Sequence, residues 1–86
     1  MTARAAAHLT LYSRAWCHLC DEMLEALAPL AEAFGATVEV VDVDSDPELV
    51  ARYDELVPVL LCDGEPLCHY RLDGERVRAA LASFGA

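Results

Sequence analysis

No uninterrupted apolar run in this chain approaches the roughly 18 residues that a membrane-spanning helix needs. The stretch Met1 to Ala7 likewise lacks the apolar core of a secretory signal. The protein is therefore expected to stay in the cytoplasm, off the membrane. Positive charge is scarce as well: 6 Lys plus Arg face 15 Asp plus Glu, for a formal charge of -9. Such a surface repels nucleic-acid phosphate and anionic lipid alike, so neither is an expected partner. Glycine and proline are few, at four each, and no repeat, low-complexity segment or linker divides the 86 residues. One domain is read over residues 1–86.

A domain this small buries only about 60% of the surface its unfolded chain exposes, so it needs a dense core or a covalent staple. Apolar residues make up 56% of the chain, which supplies the core. The four cysteines are then free for other work. Without an export signal they sit where thiols stay reduced, and a closely spaced pair points to catalysis or metal binding rather than to a structural bridge.

Periodicity gives the elements. His8 to Ser13 alternates Leu9 and Leu11 with Thr10 and Tyr12, the period of a strand. From His18 to Phe34, Leu19, Met23, Leu27, Leu30 and Phe34 recur at helical spacing, with Gly35 as the stop and Pro29 expected to kink or split the helix near Glu25. Thr37 to Val43 is apolar on both faces through Val38, Val40, Val41 and Val43, and reads as a central strand buried on two sides. Asp46, Pro47 and Glu48 are the cap, first position and first turn of a short helix to about Tyr53.

Val59 to Cys62 and Leu67 to Tyr70 flank Asp63-Gly64, a pair suited to a tight hairpin turn, with Pro66 placed where no ladder N–H is needed. Asp73 caps a last helix whose Val77, Leu81 and Phe84 share a face before Gly85. The fold class that follows is α/β, with β-α-β-α-β-β-α order. The strand-helix-strand start predicts a right-handed parallel pair, the hairpin adds antiparallel strands, and helices cover one mixed sheet.

Cys17-His18-Leu19-Cys20 lies where the first strand gives way to the first helix. A thiol at a helix N-terminus faces unpaired N–H groups and the positive end of the helix dipole, which stabilise its thiolate. Cys17 is thus the expected nucleophile, and Cys20, just under a turn away, the resolving thiol that attacks a mixed disulfide at Cys17. Trp16 is placed to shield the nucleophile. Arg14, and His18 when protonated, add positive charge that favours the thiolate, while Asp21 and Glu22 oppose it.

The segment Leu11-Tyr12-Ser13-Arg14-Ala15-Trp16-Cys17-His18-Leu19-Cys20 resembles the active-site segment of glutaredoxins, and Val57-Pro58-Val59 resembles their second signature. With the element order, the resemblance covers nearly the whole chain and points to a bacterial glutaredoxin-like family with a Cys-x-x-Cys site. It implies a thioredoxin/glutaredoxin fold around a central four-stranded mixed sheet, Pro58 in the cis form beside the dithiol, and Val57 backbone groups open to a bound thiol peptide. It also implies thiol-disulfide oxidoreduction by a monomer, with no bound cofactor.

The substrate-contacting positions carried over by the resemblance are Arg14, Trp16, His18, Leu19, Leu56, Val57, Pro58 and Asp73. Several depart from the glutaredoxin pattern, which has Lys at Arg14, Pro-Tyr at His18-Leu19, Thr at Leu56 and Gly-Gly at Cys68-His69. Side chains at Cys68 and His69 fill space that glycines leave open. Two thiol classes therefore remain: glutathione as reductant or co-substrate, and a protein disulfide or another small thiol.

Cys62 and Cys68 flank the hairpin turn as cross-strand neighbours, as a second redox pair, or, the reading favoured here, as small buried fillers. Two other function classes stay open. One is a metal or iron-sulfur site using Cys17 and Cys20 with Cys62, Cys68 or a partner chain, although five residues between Cys62 and Cys68 suit a zinc half-site badly. The other is a thioredoxin-fold interaction module without catalysis.

Overall fold

Leu9 and Leu11, alternating along the strand β1 (His8–Ser13), are both completely buried, as a strand with one face on a core requires. The computed structural model describes residues 7–83. After β1 come α1 (His18–Phe34), β2 (Thr37–Asp42), a 3₁₀ turn (Val43–Ser45), α2 (Pro47–Tyr53), β3 (Val59–Cys62), β4 (Glu65–His69) and α3 (Gly74–Ser83). The expected order is present, with the 3₁₀ turn added between β2 and α2.

Helix α1 buries Cys20, Met23, Leu27 and Ala31, a seam stepping by three and four residues. Leu30 lies at the margin of that seam, and Phe34 is 43% exposed. Pro29 neither splits nor ends the helix, which is continuous from His18 to Phe34. Both Pro29 and Glu25 are exposed, so the hydrogen bond that Pro29 cannot make is missing on the solvent side of the helix. Gly35 closes α1 in the left-handed region (φ 66°), where its N–H and that of Ala36 satisfy the carbonyls of Glu32 and Ala31.

The sheet order is β2-β1-β3-β4, with β1 and β2 parallel and the other pairings antiparallel. The expected central strand is corrected here: β2 lies at an edge of the sheet among the described residues, and Val40 is 50% exposed. The doubly buried place belongs to β3, where consecutive Val59, Leu60 and Leu61 are all buried. Leu60 packs with Leu9, Leu11, Met23, Leu27, Val77 and Leu81 beneath α1 and α3. On the other face Tyr12 stacks on Tyr53 of α2, with ring centroids 4.7 Å apart. Each fully buried leucine contributes about 1.5–3 kcal/mol relative to exposure.

Asp63 and Gly64 both have positive φ, 49° and 87°, which is the two-residue hairpin turn their identities predict. A register shift follows, because Leu60 pairs with Cys68 whereas Leu61 pairs with Pro66, leaving Leu67 as the extra residue. The two-residue turn sets Cys62 opposite Glu65, and Cys62 and Cys68 are not cross-strand neighbours. Asp73 does cap α3, its Oδ1 accepting the Arg76 N–H at 3.1 Å, while Val77 and Leu81 are buried. Phe84 and Gly85 lie outside the described residues. Among the described residues no helix is long and apolar enough to cross a membrane.

Candidate active site

Tyr12 pairs with Val59 at one end of the antiparallel β1–β3 ladder. The chain leaving β1 toward the cysteines and the chain entering β3 through Val57-Pro58 therefore meet at the same end of the sheet. Val59 in turn pairs with His69, so β4 delivers His69 and Tyr70 to that end too. The Val57–Pro58 peptide bond is cis, as the resemblance implied. Val57 is half-buried, Pro58 is buried, and Leu56 stands 36% exposed at the rim.

Cys17 is the N-cap of α1, with extended backbone (φ -104°, ψ 107°). Its sulfur accepts the Cys20 N–H at 3.1 Å, and its carbonyl accepts the Asp21 N–H at 3.2 Å. Cys17 and Cys20 are joined as a disulfide, with Cα atoms 5.2 Å apart. The two sulfurs are not equivalent: Cys17 is half-buried, while Cys20 is only 4% exposed within the first turn. An outer sulfur at a helix N-terminus is held by an N–H that favours its anionic form; the inner one is protected from bulk solvent.

Trp16 does not shield Cys17. It is 100% exposed and its backbone is left-handed (φ 63°), which turns the indole away into solvent. His18 is exposed on the first turn. Leu19 lines a shallow groove of about 290 Å³ with Glu22, Met23, Ala26, Tyr70 and Leu72. The Asp73 carboxylate is engaged in capping α3.

Arg14 is turned toward carboxylates. Its Nε and Nη2 donate to the two oxygens of Asp44 at 3.0 and 3.1 Å, Nη2 also reaches Asp54 Oδ1 at 2.6 Å, and Nη1 donates to the Asp54 carbonyl at 3.3 Å. The hydrogen bonds to Asp44, and then to Asp54, hold the guanidinium in its charged form. Tyr70 is a site residue that sequence reasoning missed. Its Oη donates to the Glu55 carbonyl at 2.6 Å and its N–H to the Pro58 carbonyl at 2.9 Å.

The remaining thiols stand apart from this pair. Cys62 pairs with Leu9, at the opposite end of the ladder from Tyr12 and Val59. Burial pushes the Cys62 thiol above its ordinary pKa, with the Asp63 charge adding to the effect, and burial likewise raises Cys68. Among the described residues no group of three or more His, Cys, Asp or Glu side chains is arranged to hold a metal ion.

A four-stranded mixed sheet with its Cys-x-x-Cys pair opening the first helix defines a thioredoxin-fold protein. The chain superposes on a thioredoxin from Halobacterium salinarum with a TM-score of 0.64 at 27% identity, covering 93% of this chain and 75% of that one. The match to protein Ne2328 from Nitrosomonas europaea, a solution NMR structure, has a TM-score of 0.82 at 33% identity and covers 93% and 96% of the two chains. An uncharacterized Mycobacterium tuberculosis protein is 34% identical over 83 residues, 88% of this chain and 86% of its own. The model of the glutaredoxin-like domain (DUF836) matches residues 8–82, and the chain belongs to that family.

Proposed function

We propose that the protein is a thiol-disulfide oxidoreductase working through Cys17 and Cys20. The observation that carries this reading is the asymmetric dithiol: a half-buried Cys17 whose sulfur accepts an N–H at the start of α1, bonded to a buried Cys20. In the reduced protein the Cys17 thiolate attacks one sulfur of a substrate disulfide. A Cys17–substrate disulfide forms, and the other substrate sulfur leaves as a thiolate that takes up a proton. Cys20, deprotonated, then attacks the Cys17 sulfur, which forms the Cys17–Cys20 disulfide and releases the second substrate sulfur. Two electrons have passed to the substrate. Two equivalents of an external thiol return them to the protein.

The substrate on this reading is a disulfide-bearing protein or small thiol in the cytoplasm, with glutathione as reductant or co-substrate, and the working unit is a monomer. Leu19, Leu56 and Val57 offer the contacts around the sulfur. Equilibrating the protein with glutathione redox buffers and following both cysteines by mass spectrometry tests the proposal. A reversible two-electron Cys17–Cys20 couple is expected. Absence of any such couple would overturn the reading, and a glutathione adduct on Cys17 separates the glutathione-linked route from the protein-disulfide route.

A further inference from the structure

Among the described residues, three that are not glycine have positive φ: Asp63, Trp16 and Tyr70. Asp63 is explained by its hairpin turn. Trp16 adjoins Cys17, and Tyr70 (φ 64°) touches the segment before β3, so the two bulky left-handed residues both border the dithiol end of the sheet. A bulky residue in this region persists only where surrounding contacts over-determine it. For Tyr70 those contacts are the hydrogen bonds to the Glu55 and Pro58 carbonyls.

The same short segment is gripped from its other end. Arg14 donates to the Asp54 carbonyl and carboxylate while its remaining donors hold Asp44, 30 residues away in sequence and just beyond β2. Residues 54–58 are therefore held by four hydrogen bonds from two side chains and one backbone amide, anchored just after β1 and just past β4. Resting on the oxidoreductase reading, we infer that Arg14 and Tyr70 are positioning residues that clasp the 54–58 segment, fixing Val57 and Pro58 against the dithiol, and that Arg14 is not a ligand of the substrate.

Fork geometry makes the idea separable from charge. A guanidinium can span Asp44 and Asp54 at once, whereas a lysine ammonium keeps the charge on a flexible stem without the fork. The full chain and its Arg14→Lys, Arg14→Gln and Tyr70→Phe variants are compared in three measurements. These are kcat and KM with glutathione disulfide and with uncharged bis(2-hydroxyethyl) disulfide, the pH profile of Cys17 alkylation, and hydrogen exchange at the Leu56 amide, which donates to the Tyr53 carbonyl.

All three variants should lose about three- to tenfold in kcat/KM on both disulfides, the scale of one lost hydrogen bond. Leu56 exchange should accelerate and the alkylation profile should stay in place. Full activity in Arg14→Lys alone, or a loss confined to glutathione disulfide, would make Arg14 a charge acting on substrate and overturn the inference. A displaced alkylation profile would instead place its action on the Cys17 thiolate and would equally overturn it, as would unchanged Leu56 exchange in Tyr70→Phe. Exchange needs no turnover, so an inactive wild-type protein would sink the oxidoreductase reading while the clasp still stood or fell on the Leu56 amide.

Discussion

The Cys20 backbone N–H points at the Cys17 sulfur from 3.1 Å, so the amide of one cysteine supports the charge of the other. Serine at either position keeps the backbone but separates the two roles. Cys17→Ser should lower disulfide-reductase activity at least about a hundredfold, the nucleophile being gone. Cys20→Ser should instead accumulate a stable Cys17–substrate disulfide, visible as a mass adduct. A Cys17→Ser variant with normal turnover would end the oxidoreductase assignment.

Burial raises the pKa of both Cys62 and Cys68, which keeps them as thiols near neutrality. After reduction, iodoacetamide at pH 7 should modify Cys17 first, with Cys62 and Cys68 following slowly. The same shifts bear on stability. A thiol whose folded pKa is raised favours the folded state in its protonated form, so that contribution is complete below the ordinary thiol value of 9.0 and is lost as pH climbs through the folded value. Thermal melts should accordingly show stability falling above pH 9.0, and less steeply in a Cys68→Ala variant.

Trp16 combines a left-handed backbone with a fully exposed side chain. Its left-handed backbone costs about 1–2 kcal/mol, and glycine removes that cost while adding about 0.5–1 kcal/mol of backbone entropy loss. Its fully exposed indole contributes no packing. Trp16→Gly should therefore leave the protein unchanged or up to about 1.5 kcal/mol more stable in denaturant titrations. Reduction of a protein disulfide should slow if the indole meets the partner, and equal turnover of protein and small disulfides would exclude that contact.

Leu27 is fully buried between α1 and the sheet, in the same core as Leu11 and Leu60. Leu27→Ala should cost about 2–5 kcal/mol, measured by urea unfolding. For a domain of this size that is a large share of the total, so the variant should also show partial unfolding at ambient temperature.

Local chemistry was readable from the sequence wherever a residue's own backbone preference decided the outcome. Gly35 ends α1, Asp46 and Pro47 start α2, and Asp63-Gly64 turns the hairpin, each for reasons contained within a few residues. The valines of β2 misled because apolarity on two faces does not say which strand becomes the edge; that depends on where the hairpin docks. The two-residue turn opposes Cys62 to Glu65 rather than Cys68, and the register shift at Leu67 went unread because nothing in the alternation marks a single extra residue.

The dithiol itself was legible because its spacing and its place between strand and helix are local. Arg14's partners were not. Asp44 and Asp54 lie 30 and 40 residues away, among fifteen acidic residues of which any could have served. Tyr70 carried no signal, since its contacts arise from the end of an edge strand reaching a loop.

The alternation of strand directions divides the domain's tolerance to change. The four residues of β3 carry the chain from the dithiol end to the Asp63–Gly64 turn, about 10–13 Å away at ordinary strand rise. That turn is exposed and lies beside His8, remote from every sulfur that would change partners. Extra polypeptide grafted there, whether a tether or a recognition domain, would project from the rear of the molecule and leave the approach to Cys17 open. The glutaredoxin-like sheet thus comes with a built-in handle opposite its chemistry.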